Sequence, residues 1–388
     1  MKLKTVFVNS ILVLASVGLT LAAAELLAPR LVALLPVSPQ KPDPSPRIYF
    51  DFQTFPRKTQ FDVSKVPQKA LEKQAYVDPT DKDYAGMFKN GDMIYADNFK
   101  LLPNKSVEID LKQISTGKSL FQGRYSTDAL GRRLTLPQVD GAQALVVDGC
   151  SFTFGDVIQD HETLPSQLQK ILPKTKVVNL GFPGRSPASS YYAANLDNWK
   201  IVEDLKDKQT VLVYVFIDFH IDRILANSSW MRDKLHYAQE PIYRLENDKL
   251  VFKGLSDEYY SGLFGAVFKW YTRSQFYSTF RRELLHYDRA YKMKLTSELI
   301  QEYFKSAATA LKTPKKFLVI HPWSWNYNQD LKELLSGTDV KILDYSAYDV
   351  QKLLNGHDRT LEGHPSPLLN ELLAHLILAD IKEQTELR

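Results

Sequence analysis

The chain has 388 residues, enough for about two domains on length alone. Hydrophobic residues make up 44% and charged residues 24%, the balance of a globular protein, which excludes wholesale disorder. The formal net charge is +4, with Lys and Arg scattered among Asp and Glu, so nucleic acid, which needs a concentrated basic face, is excluded as the main partner.

Val6 to Ala24 is an apolar run broken only by Asn9, Ser10, Ser16, Gly18 and Thr20, and preceded by Lys2 and Lys4. About 20 such residues can span a bilayer, with the lysines kept on the cytoplasmic side. Ala22-Ala23-Ala24 would also suit removal of a signal peptide. Apolar residues continue through Leu26, Leu27 and Leu31 to Leu35, which favours an uncleaved transmembrane helix over residues 1–36. Either reading exports the rest of the chain. Pro36, Pro39, Pro42, Pro44 and Pro46 then form a semi-extended spacer. Residues 37–137 are expected to hold this spacer and a small appendage. Val107-Glu108-Ile109-Asp110-Leu111 alternates like a strand, and Asp128-Ala129-Leu130-Gly131 reads as a turn.

From Gln143 onward strands alternate with helices. Strands are expected at Ala144–Val147, Lys176–Leu180, Val211–Ile217, Lys316–Ile320 and Lys341–Asp344. The alternation implies an α/β domain over 138–388, with a parallel sheet covered on both faces. The first strand runs into Asp148-Gly149-Cys150-Ser151, where Gly149 allows a sharp turn that presents Ser151 at the carboxyl edge of the sheet. Thr163-Leu164-Pro165-Ser166 opens the next helix, with proline in its first turn. Cys150, the single cysteine, cannot form an intramolecular disulfide and is expected as a small buried residue.

A long insertion, about residues 222–313, separates the third and fourth strands. Its centre is aromatic from Tyr259 and Tyr260 to Phe276, Tyr277 and Phe280. As a helix it would set Leu263, Val267, Trp270 and Tyr271 on one face, which predicts packing against the core; a lid or a membrane contact is the alternative. The last helix, Pro367 to about Lys382, carries the stripe Leu369, Leu372, Leu373, Leu376 and Ile377, expected to lie on the sheet and fix the loop bearing His364. His375 within it is expected at a boundary.

The blocks Gly149-Cys150-Ser151-Phe152-Thr153-Phe154-Gly155, Glu162-Thr163-Leu164-Pro165, Val177-Val178-Asn179-Leu180-Gly181-Phe182-Pro183-Gly184 and Glu362-Gly363-His364-Pro365-Ser366-Pro367 occur in an order that resembles the SGNH/GDSL hydrolase superfamily. Cysteine stands where that family has the aspartate of Gly-Asp-Ser. Tyr125 to Arg133 is similar to a segment that precedes the catalytic fold in membrane-anchored relatives. The resemblance implies a flavodoxin-like three-layer sandwich with a five-stranded parallel sheet.

It also implies roles. Ser151 is the expected nucleophile and His364 its base, the histidine needing a carboxylate to orient it. The family's aspartate stands two or three residues before the histidine, where this chain has Leu361 and Glu362, so Glu362 is the expected partner, with Asp358 as the fallback. The backbone N–H groups of Ser151 and Gly184 match two oxyanion donors. The family's third donor, an asparagine after the third strand, is absent from Ile217-Asp218-Phe219-His220, leaving His220 as a substitute; Asp218 could donate only when protonated. If the strand continued, Asp218, His220 and Asp222 could converge on a metal; no fourth ligand or spacing signature accompanies them, and no metal or cofactor is expected. Arg185, Trp323 and Trp325 are candidate substrate contacts at the same edge, by carboxylate pairing and sugar stacking.

The expectation is an exported, membrane-anchored serine esterase that removes an acyl group, acetyl foremost, from a carbohydrate or similar polar ester. The alternatives are an O-acyltransferase acting on an envelope or extracellular glycan, and a non-catalytic glycan-binding protein. Nothing in the sequence identifies a protein partner.

Overall fold

The computed structural model describes residues 84–88, 95–97, 100–113, 119–228, 231, 240–274, 276–277, 283, 285–311, 315–360 and 363–387. The expected membrane segment, the proline-rich spacer and Glu362 lie outside the described residues. Among the described residues no helix is long and apolar enough to cross a membrane.

Among the described residues twelve strands occur in chain order: β1 Tyr84–Phe88, β2 Tyr95–Asp97, β3 Lys100–Leu101, β4 Ser106–Gln113, β5 Ser119–Ser126, β6 Gln143–Asp148, β7 Thr175–Asn179, β8 Gln209–Phe216, β9 Pro241–Glu246, β10 Lys249–Leu255, β11 Lys315–Ile320 and β12 Lys341–Asp344. The five expected α/β strands are β6, β7, β8, β11 and β12, each within two residues of its predicted limits. They pair in the order β7-β6-β8-β11-β12, parallel throughout. In chain order that is 2-1-3-4-5, the doubly wound order of flavodoxin-like folds.

The helices are α1 Ser151–Phe154, α2 Leu164–Ile171, α3 Pro187–Asn195, α4 Phe219–Leu225, α5 Ser256–Tyr259, α6 Gly262–Arg273, α7 Arg289–Leu311, α8 Asn328–Leu334, α9 Val350–Leu353 and α10 Pro367–Lys382. Strand alternation divides the core. Leu145, Val147, Val211, Val213, Val215 and Val319 form one cluster with Leu164 and Leu168 of α2 and with Leu369, Leu372, Leu373, Leu376 and Ile377 of α10. Tyr214, one residue out of phase, faces the other way and packs against Tyr303 of α7 with ring centroids 5.3 Å apart. The stripe predicted for the last helix thus lies where expected. Thr163 caps α2 by accepting from Ser166 N, and Ser366 caps α10 by accepting from Leu369 N.

The chain divides into two compact units. Among the described residues one comprises those within Arg47–Leu225, Tyr243–Phe252 and Arg289–Arg388; the other comprises those within Ala226–Ile242 and Lys253–Asp288. The insertion expected over 222–313 is therefore shorter than the sequence suggested, because α7 belongs with the sheet. In the smaller unit Ala226, Met231, Ile242, Tyr260 and Phe268 form the core, with the Tyr260 and Phe268 rings stacked 4.4 Å apart.

The appendage belongs to the larger unit. β1, β4 and β5 form an antiparallel sheet, and Leu101, Val107, Ile109 and Tyr125 pack on Phe154 and Phe182 of the α/β fold. Arg133 joins the two parts. Its guanidinium is fully buried and donates to the carbonyls of Phe154, Gly155 and Ile158 and to Asp160 Oδ1, while lying over the Tyr125 ring. The residues that follow Ser151 are thus held by a side chain from before the first sheet strand.

Candidate active site

β6 ends at Asp148, and the chain turns through Gly149 at φ +153°, a conformation that side chains rarely adopt. A Cβ there would also stand 3.1 Å from the Val215 carbonyl of the neighbouring strand. Ser151 follows as the first residue of α1, 5% exposed, and its carbonyl accepts from Gly155 N and Asp156 N. Cys150 is buried with Phe152 and Ile217, the packing role expected of it.

His364 comes to this turn from the far end of the chain. Thr360 holds its backbone from both sides, its N–H donating to the His364 carbonyl and its hydroxyl accepting from His364 N. The imidazole packs edge-on against Phe152, ring centroids 5.6 Å apart, and its Nε2 stands 3.8 Å from Asp156 Oδ2. Burial lowers the His364 pKa, opposed by the Asp156 charge, so the ring is neutral and able to take a proton near pH 7.

Asp156 is the carboxylate that sequence reasoning passed over. It lies five residues beyond Ser151, outside the spacing rule that directed attention to Glu362. Its Oδ1 accepts from the Tyr125 hydroxyl at 3.5 Å, and that hydroxyl also accepts from Val157 N. The fallback, Asp358, is buried and paired with Arg359 at 3.1 Å, and its Oδ1 has no hydrogen bond to His364 or to any other group among the described residues.

Gly184 takes φ +80° in the turn after β7, where a side chain would be strained. Arg185, expected to reach substrate, turns inward instead. Its Nη1 contacts Asp148 Oδ1 at 3.4 Å and donates to the Leu180 carbonyl at 2.8 Å. Asp148 also accepts from Gly149 N and from the Tyr303 hydroxyl, so Arg185 belongs to a buried bracing network.

His220 is fully buried at the start of α4, between the rings of Tyr214 and Phe216. Burial pushes its pKa well down, and neither ring nitrogen has a hydrogen-bond partner among the described residues. A neutral imidazole carries one N–H, so His220 retains a donor for a bound group. The strand has ended before His220, and on a helix residues 220 and 222 point apart: His220 is buried and Asp222 exposed. That geometry removes the reason for expecting Asp218, His220 and Asp222 to converge. Asp218 is pushed up to about 6 by burial, with Oδ2 accepting from Asn326 N at 3.1 Å.

His321, at the end of β11, was also missed. Its Nδ1 accepts from Trp323 N at 3.2 Å, which places its one proton on Nε2, and that buried N–H has no acceptor among the described residues. Burial holds the ring neutral, with a pKa of about 3. Trp323 packs edge-on against Phe152 and lies under Arg359, whereas Trp325 is half exposed. The only sequence signal for His321 was its place just after an apolar strand.

The strand order and the serine turn at the end of the first sheet strand decide the architecture. The chain has a doubly wound, flavodoxin-like α/β fold. Solved structures similar to it include a putative lipolytic protein of the G-D-S-L family from Desulfitobacterium hafniense, at 12% identity and a TM-score of 0.33, covering 62% of this chain and 99% of that one. A member of the lipolytic G-D-S-L family from Veillonella parvula is 11% identical, with a TM-score of 0.33, over 63% of this chain and 100% of that one. An acetyl xylan esterase from Butyrivibrio proteoclasticus is 10% identical, with a TM-score of 0.34, over 66% and 67%. No protein-family model and no curated protein matches the chain.

Proposed function

We propose that this protein is a serine ester hydrolase of the SGNH/GDSL type acting on an acylated carbohydrate or similar polar ester. The observation that carries the reading is the meeting of His364 with the Ser151 turn, a neutral imidazole beside a carboxylate at 3.8 Å. In the proposed reaction His364 takes the Ser151 hydroxyl proton as Oγ attacks the ester carbonyl. The Asp156 charge stabilises the imidazolium, which then returns the proton to the leaving alcohol; water releases the acyl group by the same steps. Glu362 is the other candidate for the orienting carboxylate. Negative charge on the carbonyl oxygen would be met by the N–H groups of Ser151 and Gly184 and by His220, each such donor being worth about 100- to 1000-fold in rate. Trp323 and Trp325 remain candidates for stacking on a sugar face.

The near-complete burial of Ser151 favours a second reading, acyl transfer to a glycan hydroxyl, because exclusion of water protects an acyl-enzyme. The apolar run from Val6 to Ala24 supports export and membrane attachment of either enzyme.

The test is labelling of the full chain with a fluorophosphonate and turnover of acetylated glycans, alongside Ser151→Ala and His364→Ala. Labelling lost in both variants is the expected result, and acyl groups appearing on an added glycan would select transfer over hydrolysis. A folded parent that neither labels nor turns over would overturn the enzymatic reading in favour of glycan binding.

A further inference from the structure

The helix α6 carries apolar side chains on two opposite faces. Gly265, Phe268 and Thr272, spaced i, i+3 and i+7, are buried. Leu263, Val267 and Trp270, spaced i, i+4 and i+7, share the other side and are 83%, 47% and 45% exposed, while Phe264, 50% exposed, lies on the flank between the two faces with its ring stacked on Tyr260 and Phe268. Of the face that the sequence assigned to the core, Leu263, Val267 and Trp270 therefore point outward, while Tyr271 packs against the buried Tyr277. Gly265 fixes this orientation, since a Cβ there would collide with the Tyr260 backbone, and the helix is held by that side.

The charges that α6 itself carries have one sign. α6 contains Lys269 and Arg273 and no acidic residue. Those two side chains line a shallow groove with Ala266, Trp270 and Ser274, which sets cationic tips next to an indole at the margin of the apolar stripe. An apolar face bordered by Lys, Arg and Trp is the pattern of a helix lying in a bilayer interface, the ring and aliphatic groups entering the acyl boundary and the cations meeting phosphate headgroups.

We propose that α6 docks flat on the surface of an anionic lipid bilayer, with Leu263, Val267 and Trp270 inserted and Lys269 and Arg273 on the headgroups. A protein partner would have to supply acidic groups around an apolar slot, whereas an anionic membrane supplies both along its whole surface. The inference does not depend on the esterase reading or on the anchor proposed for Val6 to Ala24.

The test uses the full chain with Cys150→Ala and a single Val267→Cys carrying an environment-sensitive fluorophore, mixed with phosphatidylcholine vesicles with and without phosphatidylglycerol. A second label at Lys174→Cys, on the exposed turn before β7, serves as the control. Expected is a blue shift and quenching by spin-labelled acyl chains at position 267 and not at 174, several-fold stronger with phosphatidylglycerol. Adding Leu263→Glu and Trp270→Glu should abolish the quenching while leaving vesicle flotation, which reports the amino-terminal segment separately, unchanged. Aqueous emission at 267 in both vesicle types would overturn the proposal, as would quenching indifferent to phosphatidylglycerol. A blue shift without vesicles that grows with protein concentration would assign the face to a second copy of the chain.

Discussion

The helices α10 and α6 are alike in sequence pattern and opposite in fate. Each has a well-spaced apolar stripe. In α10 the residues Leu369, Leu372, Leu373, Leu376 and Ile377 are all buried against the sheet, while in α6 the stripe of Leu263, Val267 and Trp270 is open and the small or singly aromatic side faces inward. Periodicity therefore establishes that a helix has a face but not what the face meets. What separates the two is their support: α10 follows a capped turn directly onto a five-stranded sheet, and α6 rests on the few residues of the smaller unit's own core.

The largest break of this contrast is expected at the buried arginine that underlies the serine turn. Arg133→Ala leaves the buried Asp160 without its counter-charge and removes a donor from three carbonyls, and should cost about 3–5 kcal/mol, read as a lowered midpoint in chemical denaturation. Next, Leu373→Ala in α10 should destabilise by about 2–5 kcal/mol, because its cavity opens inside a packed core. Val267→Ala in α6 should change stability by less than about 0.5 kcal/mol in the absence of lipid. Equal costs at the two positions would show that the α6 stripe is covered in solution.

Much of the fold was legible. The strands β6, β7, β8, β11 and β12 are short apolar runs, Gly149 marks the turn, and Thr163-Leu164-Pro165 marks a helix start, all local signals of hydrophobic pattern and backbone freedom. The site was legible only in part. Ser151 and His364 sit in recognisable blocks, but the Asp156 contact depends on how α1 ends and on a hydroxyl from Tyr125 in the appendage, a relation no spacing rule records. Arg185 read as a rim cation because its inward partner, Asp148, is distant in sequence. His321 and His220 carry no motif; only burial marks them.

Smaller effects sharpen the site itself. Asp156→Asn should lower kcat/KM about tenfold or more, since a charge near 4 Å in a partly screened site is worth a few kcal/mol, and should move the acidic limb of the pH profile down. If Glu362→Gln has the larger effect and Asp156→Asn none, the orienting carboxylate is Glu362. Tyr125→Phe should give a weaker change in the same direction.

The buried histidines also predict a pH dependence of stability. His220 and His321 are neutral in the folded chain and gain protons when it unfolds in acid, so stability should fall as pH drops below about 6.5, the unfolded value. Asp218, raised to about 6, works the other way and loses stabilisation as pH rises from about 4 to 6. His321→Gln, which retains an N–H near the Nε2 position, should flatten the histidine contribution in equilibrium unfolding at pH 5 against pH 8.

The Arg133 anchorage bears on modularity. The carbonyls it holds flank the serine turn, yet the residue itself is encoded ahead of β6, next to the β5 strand of the appendage. The three-layer fold is therefore not an interchangeable cassette: recombination at the first sheet strand would deliver Ser151 and His364 together and still leave the serine turn without the cation that holds its carbonyls.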